Sequence, residues 1–191
     1  MASNELILLC SLLPISYIVG VIQIGDLIAR LKGINIRVVG TRNPGASNIY
    51  AEIGPAYGVA IFFLDLAKGF GPVAVASSLG QPSWYVGIVL GCLIMGHQTR
   101  FPLRTSGGTG MAAAMGAGIA VFPLPALIAA IPASMVLFLS RKPSYTGVLA
   151  FLVTITSGWL IVEDLVLSIA VLALATMVLV KYRSQYSYLL G

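Results

Sequence analysis

The chain alternates between long apolar runs and short polar interruptions. Residues 6–28, 55–79, 84–95, 145–161 and 165–180 are almost wholly apolar. Several of these runs approach the roughly 20 residues that cross a bilayer as a helix. No period-2 alternation is present, which favours helices over a barrel. Residues 111–140 are too long for one ordinary span, and Pro123, Pro125 and Pro132 interrupt them. The pattern predicts two helices there, one ending near Phe122 and one running from about Ala126 to Ser140. The first is short, about 18 Å at 1.5 Å per residue. The expected fold is therefore all-α: about seven transmembrane helices in a single polytopic domain over residues 1–191.

Composition agrees. Of the residues 58% are hydrophobic and 9% charged, where a soluble domain carries roughly 25% charged residues. Mean hydropathy is +0.97. Residues 1–25 carry only Glu5 as a charge. Without a basic start or an evident cleavage site they read as a retained first span. Cys10 and Cys92 lie in apolar runs and suggest buried packing. Trp84 and Tyr85 suit an interfacial anchor. Gly87 and Gly91 form a GxxxG, which predicts close helix packing.

Charge sets the expected topology. With the N-terminus outside and seven helices, Arg30, Lys32, Arg37, Arg42, Arg100, Arg104, Arg141, Lys142, Lys181 and Arg183 all fall inside. Glu5, Glu163 and Asp164 fall outside. This obeys the positive-inside rule and places the C-terminus in the cytoplasm. The net charge of +5 is thus a topological signal and not one for nucleic acid. Two polar segments, 30–52 and 97–110, then share the cytoplasmic face as two active-site loops.

These segments hold the candidate chemistry. Gly107-Gly108-Thr109-Gly110 precedes a helix-like run from Met111. Glycines let backbone N–H groups converge, and a helix start adds partial positive charge. Arg100 and Arg104 stand nearby, Arg104 closer to the turn. The reading is a phosphate site at a membrane face, although the Lys-Ser/Thr of a Walker loop is missing. Arg42-Asn43-Pro44-Gly45-Ala46-Ser47-Asn48 joins a guanidinium, two amides and a hydroxyl around a turn. Such a group binds a phosphate and orients a polyol, or simply caps the next helix. Asp65 and Lys68 fall at i, i+3 on one helix face, and charges inside a membrane are costly and usually functional. His97, the only histidine, is a candidate general base.

Together these residues resemble the bacterial acyl-phosphate-dependent glycerol-3-phosphate acyltransferases. The family's first motif, Gly-Ser-x-Asn-x-Gly-Ala-Thr-Asn, is similar to residues 40–48. Its second, Asp-x-x-Lys-Gly, is matched by Asp65-Leu66-Ala67-Lys68-Gly69. Its third begins Gly-His and ends Lys-Gly-Gly-Lys-Gly-Val-Ala-Thr. Here it is Gly96-His97, then Ser106-Gly107-Gly108-Thr109-Gly110-Met111-Ala112-Ala113. Ser106 and Thr109 replace both lysines, and Val21-Ile22-Gln23 stands where a Ser-x-Pro is typical. Arg42, Arg100 and Arg104 are the expected sources of compensating charge.

The resemblance implies acyl transfer from a fatty acyl phosphate to the 1-hydroxyl of glycerol 3-phosphate, giving lysophosphatidate and phosphate. The donor is an activated anhydride, so neither a cofactor nor a metal is implied. His97 and Lys68 are the implied catalytic groups, with Asp65 positioning Lys68. Arg42, Asn43, Gly45, Ser47, Asn48, Arg104, Ser106, Gly107, Gly108, Thr109 and Gly110 are the implied substrate ligands. The implied setting is the bacterial cell membrane, with membrane lipid around the chain. A soluble enzyme that makes acyl phosphate is a possible docking partner. Two competing readings are a transporter or lipid-handling protein, and a catalytically impaired paralogue. Broken helices and intramembrane charges also suit a transporter, but no inverted repeat is visible. Ser106 and Thr109 favour the impaired paralogue.

Overall fold

The computed structural model describes residues 2–99, 101 and 106–186. Nine helices occur among them. They are α1 (Ala2–Val21), α2 (Ile24–Leu31), α3 (Ala46–Glu52), α4 (Pro55–Ser78), α5 (Ser83–Thr99), α6 (Met111–Val121), α7 (Pro123–Ser140), α8 (Pro143–Val162) and α9 (Leu165–Tyr186).

Five segments are long and apolar enough to cross a membrane: Leu9–Leu31, Pro55–Ser78, Pro123–Ser140, Tyr145–Val162 and Leu165–Gln185. Of the two shorter apolar helices, α5 with 17 residues reaches the lower limit for a crossing and α6 with 11 covers part of the bilayer. The outer surface is apolar, as lipid contact requires: Ile131 is 76% exposed and Phe138 83%.

Three boundaries depart from the pattern reading. The first run is not one helix, because Gln23 is extended (φ −103°, ψ 91°) between α1 and α2. The second half of 111–140 begins at Pro123, directly after Phe122. Proline suits the first helical position, where its missing N–H has no intrahelical partner. The last helix runs on past Val180 to Tyr186, which carries Lys181 on helical backbone.

Glycine sets how closely the helices approach. A Cβ on Gly69 would lie 1.9 Å from the Ala113 carbonyl oxygen, and one on Gly116 would lie 1.9 Å from that of Leu66. These two sites clasp α4 to α6. Gly20 against Leu93 and Gly96 against Tyr17 clasp α1 to α5 in the same way. The predicted GxxxG packs closely at one of its glycines: a Cβ on Gly87 would lie 3.1 Å from the Ala170 methyl of α9, while Gly91 faces open space. The main core lies among α1, α4, α5, α6, α8 and α9, with Phe122 fully buried.

Two smaller expectations are corrected. Cys10 is exposed and Cys92 half-buried, both as free thiols. Tyr85 is buried and donates to the Leu9 carbonyl, so of the predicted aromatic anchors only Trp84 is exposed. At the same end of the bundle the Ser83 hydroxyl donates to Asp164. The polar loops gather at the opposite end.

Candidate active site

The loop before α3 is built around Asn48. This side chain is 1% exposed. Its Oδ1 accepts from the Thr41 amide at 2.9 Å, and its Nδ2 donates to the carbonyls of Val39 at 3.2 Å and Ile36 at 3.4 Å. Gly40 has φ +52°, and a Cβ there would strike Asn48 Oδ1 and Glu52 Oε1. Asn48 therefore braces the loop. Arg42 is exposed in the left-handed region (φ 57°), which costs a non-glycine residue about 1 kcal/mol. Asn43 is buried and its Oδ1 accepts from the Gly45 amide at 3.2 Å. Ser47 is exposed on the first turn of α3.

The glycine turn folds against the end of α5. The Gly107 amide donates to the Gln98 carbonyl at 2.9 Å. The Gln98 carboxamide donates to the Thr109 carbonyl at 3.0 Å and the Met177 carbonyl at 3.2 Å. The turn thereby joins α5 to α9. Gly107 is a packing residue, since a Cβ there would overlap the His97 carbonyl. Gly110 takes φ +84° as the residue before α6, a conformation that favours glycine.

Gly108 is the meeting point. A Cβ on it would lie 2.7 Å from His97 Nε2, 3.2 Å from Asn43 Oδ1 and 3.3 Å from Gln23 Oε1. His97, Asn43 and Gln23 are all buried. Gln23 also donates from Nε2 to the His97 carbonyl at 2.9 Å. One residue earlier, the Ile22 carbonyl accepts from Lys68 Nζ at 2.6 Å. Lys68 pairs with Asp65 Oδ1 at 2.8 Å, each side chain 8% exposed. The α1–α2 break thus offers a carbonyl to the buried ammonium and a carboxamide to the histidine. Desolvated charges persist only when so paired.

A second group lies around Ser106. Asp26 is buried and pairs with Arg37 Nε at 3.1 Å and Arg30 at 3.4 Å. Arg37 Nη1 donates to the Ser106 carbonyl. Lys181 Nζ, from α9, stands 2.9 Å from Ser106 Oγ. Arg100 and Arg104 lie outside the described residues.

The structure thus brings His97, Asn43 and Gly108 together and places Lys68 against the same helix break. Sequence reasoning did not select Gln23, Asp26, Arg37 or Lys181 for the site. Gln23 and Asp26 carried a usable signal, being polar within an apolar run. Arg37 was one base among ten on the same predicted face, and the reach of Lys181 depends on packing.

Fold and site define a helical membrane protein with a buried polar cluster and a cationic rim at one end of its bundle. The glycerol-3-phosphate acyltransferase family model matches residues 10–191. The chain belongs to that family. A glycerol-3-phosphate acyltransferase of Aquifex aeolicus is 41% identical over 113 residues, 59% of either chain. One of Geobacter sulfurreducens is 40% identical over 124 residues, 65% of this chain and 62% of that relative. These alignments span about three-fifths of the relatives' lengths. Structural likeness extends further. The crystal structure of PlsY (YgiH), an integral membrane glycerol 3-phosphate acyltransferase, in its glycerol 3-phosphate form superposes with a TM-score of 0.87. That match has 29% identity and covers 95% of this chain and 92% of the other. The lysophosphatidic acid form gives a TM-score of 0.84 at 28% identity.

Proposed function

We propose that this protein transfers a fatty acyl group from acyl phosphate to the 1-hydroxyl of glycerol 3-phosphate, an early step of phospholipid synthesis. The observation that carries this reading is the convergence of His97, Asn43 and Gln23 on Gly108, beside the Lys68-bearing helix break. The hydroxyl oxygen bonds to the acyl carbon. The bond from that carbon to the phosphate oxygen breaks, and its electron pair leaves with phosphate. His97 Nε2 lies against Gly108 and accepts the hydroxyl proton. Lys68, positioned by Asp65, stabilises the charge that develops. Holding both substrates together and offering fixed charge accounts for most of such catalysis.

Arg42, Gly45, Ser47, Thr109 and Gly110 are the remaining proposed ligands from the two loops, with Arg104 and Ser106. Asn48 acts by bracing the first loop. In the membrane the chain makes about seven crossings, N-terminus outside. The site faces the cytoplasm of a bacterial cell, where a soluble producer of acyl phosphate docks. The helix directions support this: the polar loops and the end of α9 share one end, and Ser83 and Asp164 share the other.

The test is phosphate release by the protein in lipid, given palmitoyl phosphate with and without glycerol 3-phosphate. Release that needs both substrates, matched by lysophosphatidate, is expected. Release no faster than spontaneous hydrolysis from folded protein would favour the impaired paralogue.

A further inference from the structure

We propose that Lys181 and Arg37 form a two-cation clamp at Ser106 that binds a phosphate monoester. The two side chains come from unrelated parts of the chain, the loop after α2 and the last helix. They meet at one residue, Arg37 on the Ser106 carbonyl and Lys181 on its hydroxyl at 2.9 Å. Like charges brought together repel, and their cost is offset when an anion joins them. The carboxylate at hand is Asp26, already shared by Arg37 and Arg30. Among the described residues the ion pairs found are those two and Lys68–Asp65, and none includes Lys181. Arg37 keeps a further donor: Nη2 is buried with no hydrogen-bond partner in the structure.

The occupant must therefore be a compact anion with several acceptor oxygens. A guanidinium edge, an ammonium and a hydroxyl match the tetrahedral face of a phosphate. A monoester near neutral pH carries close to two charges, enough to balance both cations; a phosphodiester headgroup carries one. Ser106 is exposed and adjoins Gly107, which packs on His97. A phosphate held there lies two residues along the chain from Gly108. That it belongs to a substrate rests on the acyl-transfer reading; the clamp itself does not.

The experiment uses full-length protein in phosphatidylcholine nanodiscs. Calorimetry measures binding of glycerol 3-phosphate and of palmitoyl phosphate in separate arms, with inorganic phosphate as competitor. The variants are K181M, K181R and the double substitution K181M with Ser106→Lys. K181M is expected to weaken one of the two ligands about 10–100-fold, the loss of one charged hydrogen bond. The arm that weakens identifies the phosphate held. K181R should stay within about threefold, because the charge remains. The double variant should recover most of the loss by placing an ammonium on the loop itself. Unchanged affinity for both ligands in folded K181M overturns the clamp. So does an affinity that Lys181 affects only when phosphatidylglycerol is present, which makes Lys181 a lipid anchor. Lys181-dependent binding without acyl transfer keeps the clamp and rejects the acyltransferase reading. Acyl transfer with binding indifferent to Lys181 does the reverse.

Discussion

The Gln23 carboxamide donates to the His97 backbone carbonyl at 2.9 Å, across 74 residues of chain. Its oxygen faces Gly108 at the same time. Gln23→Leu keeps the bulk and removes both polar contacts. A net hydrogen bond is worth about 1 kcal/mol, and a buried carbonyl left unsatisfied costs more. Melting of the detergent-solubilised protein should fall by several degrees, and acyl transfer should drop about tenfold, or ~1.4 kcal/mol. A wild-type rate would remove Gln23 from the site.

His97 is the proposed acceptor of the hydroxyl proton. His97→Ala should lower kcat by about 10²–10⁴-fold, the usual scale of general-base catalysis. Glycerol 3-phosphate binding should change much less. An undiminished rate would hand the proton to a substrate phosphate.

Gly69 and Gly71 lie two residues apart on α4 with opposite surroundings. A Cβ on Gly69 collides with Ala113, while one on Gly71 meets nothing within 4 Å. Gly69→Ala should destabilise by about 1–3 kcal/mol through overpacking, and it should move Lys68 along with its helix. Gly71→Ala should be neutral, or stabilising by about 0.5–1 kcal/mol from helix propensity. Thermal melting of the two variants side by side decides whether α4 and α6 touch here.

Asp26 neutralises Arg37 and Arg30 from a buried position. Asp26→Asn keeps the shape and leaves the part-buried guanidinium of Arg37 without its carboxylate. A loss of about 1.5–3 kcal/mol is expected. Denaturant titration that shows no change would make this pair a surface contact of little weight.

At the other end, Asp164 caps α9. Its Oδ1 accepts from the Leu167 amide at 2.9 Å, and Ser83 donates to its other oxygen. Burial alone would raise its pKa, but the Leu167 amide, the Ser83 hydroxyl and the Val166 amide outweigh burial and hold it below the ordinary 3.8. A depressed carboxylate stabilises the folded state above the unfolded pKa. That contribution fades as pH falls through the lower folded value. Asp164→Ala should cost about 1 kcal/mol at neutral pH. The gap in melting temperature from wild type should close in acid below about pH 4.

Most helices were legible because a membrane span is written in composition. The break at Gln23 was not. Ile22-Gln23 contains neither glycine nor proline, and its partners lie far along the chain: Lys68 donates to the Ile22 carbonyl, and the Gln23 side chain donates to the His97 carbonyl. The Gly87–Gly91 spacing was informative at Gly87, which packs against Ala170, and not at Gly91, because spacing fixes a face of a helix and not what that face meets. Gly69 and Gly96 sit in motifs read for chemistry, yet both are close-packing positions. In the site, His97, Asn43 and Gly108 were readable from local residue types. Arg37 and Lys181 were not, since their convergence on Ser106 is a tertiary fact.

The shortness of α6 has a consequence for traffic. Met111 packs beside Gly147, one turn into α8, and Phe122 packs beside Gly158, one turn before that helix ends. The glycine turn is therefore recessed by about 6 Å, four residues at 1.5 Å each. A sunken turn lets two reactants of opposite solubility meet without either changing solvent. In the acyl transfer proposed above, glycerol 3-phosphate would descend through water to the cationic rim, and the acyl chain would slide in sideways without leaving oil. The acylated product of that reaction would depart by the greasy route, and its release would follow the fluidity of the surrounding lipid.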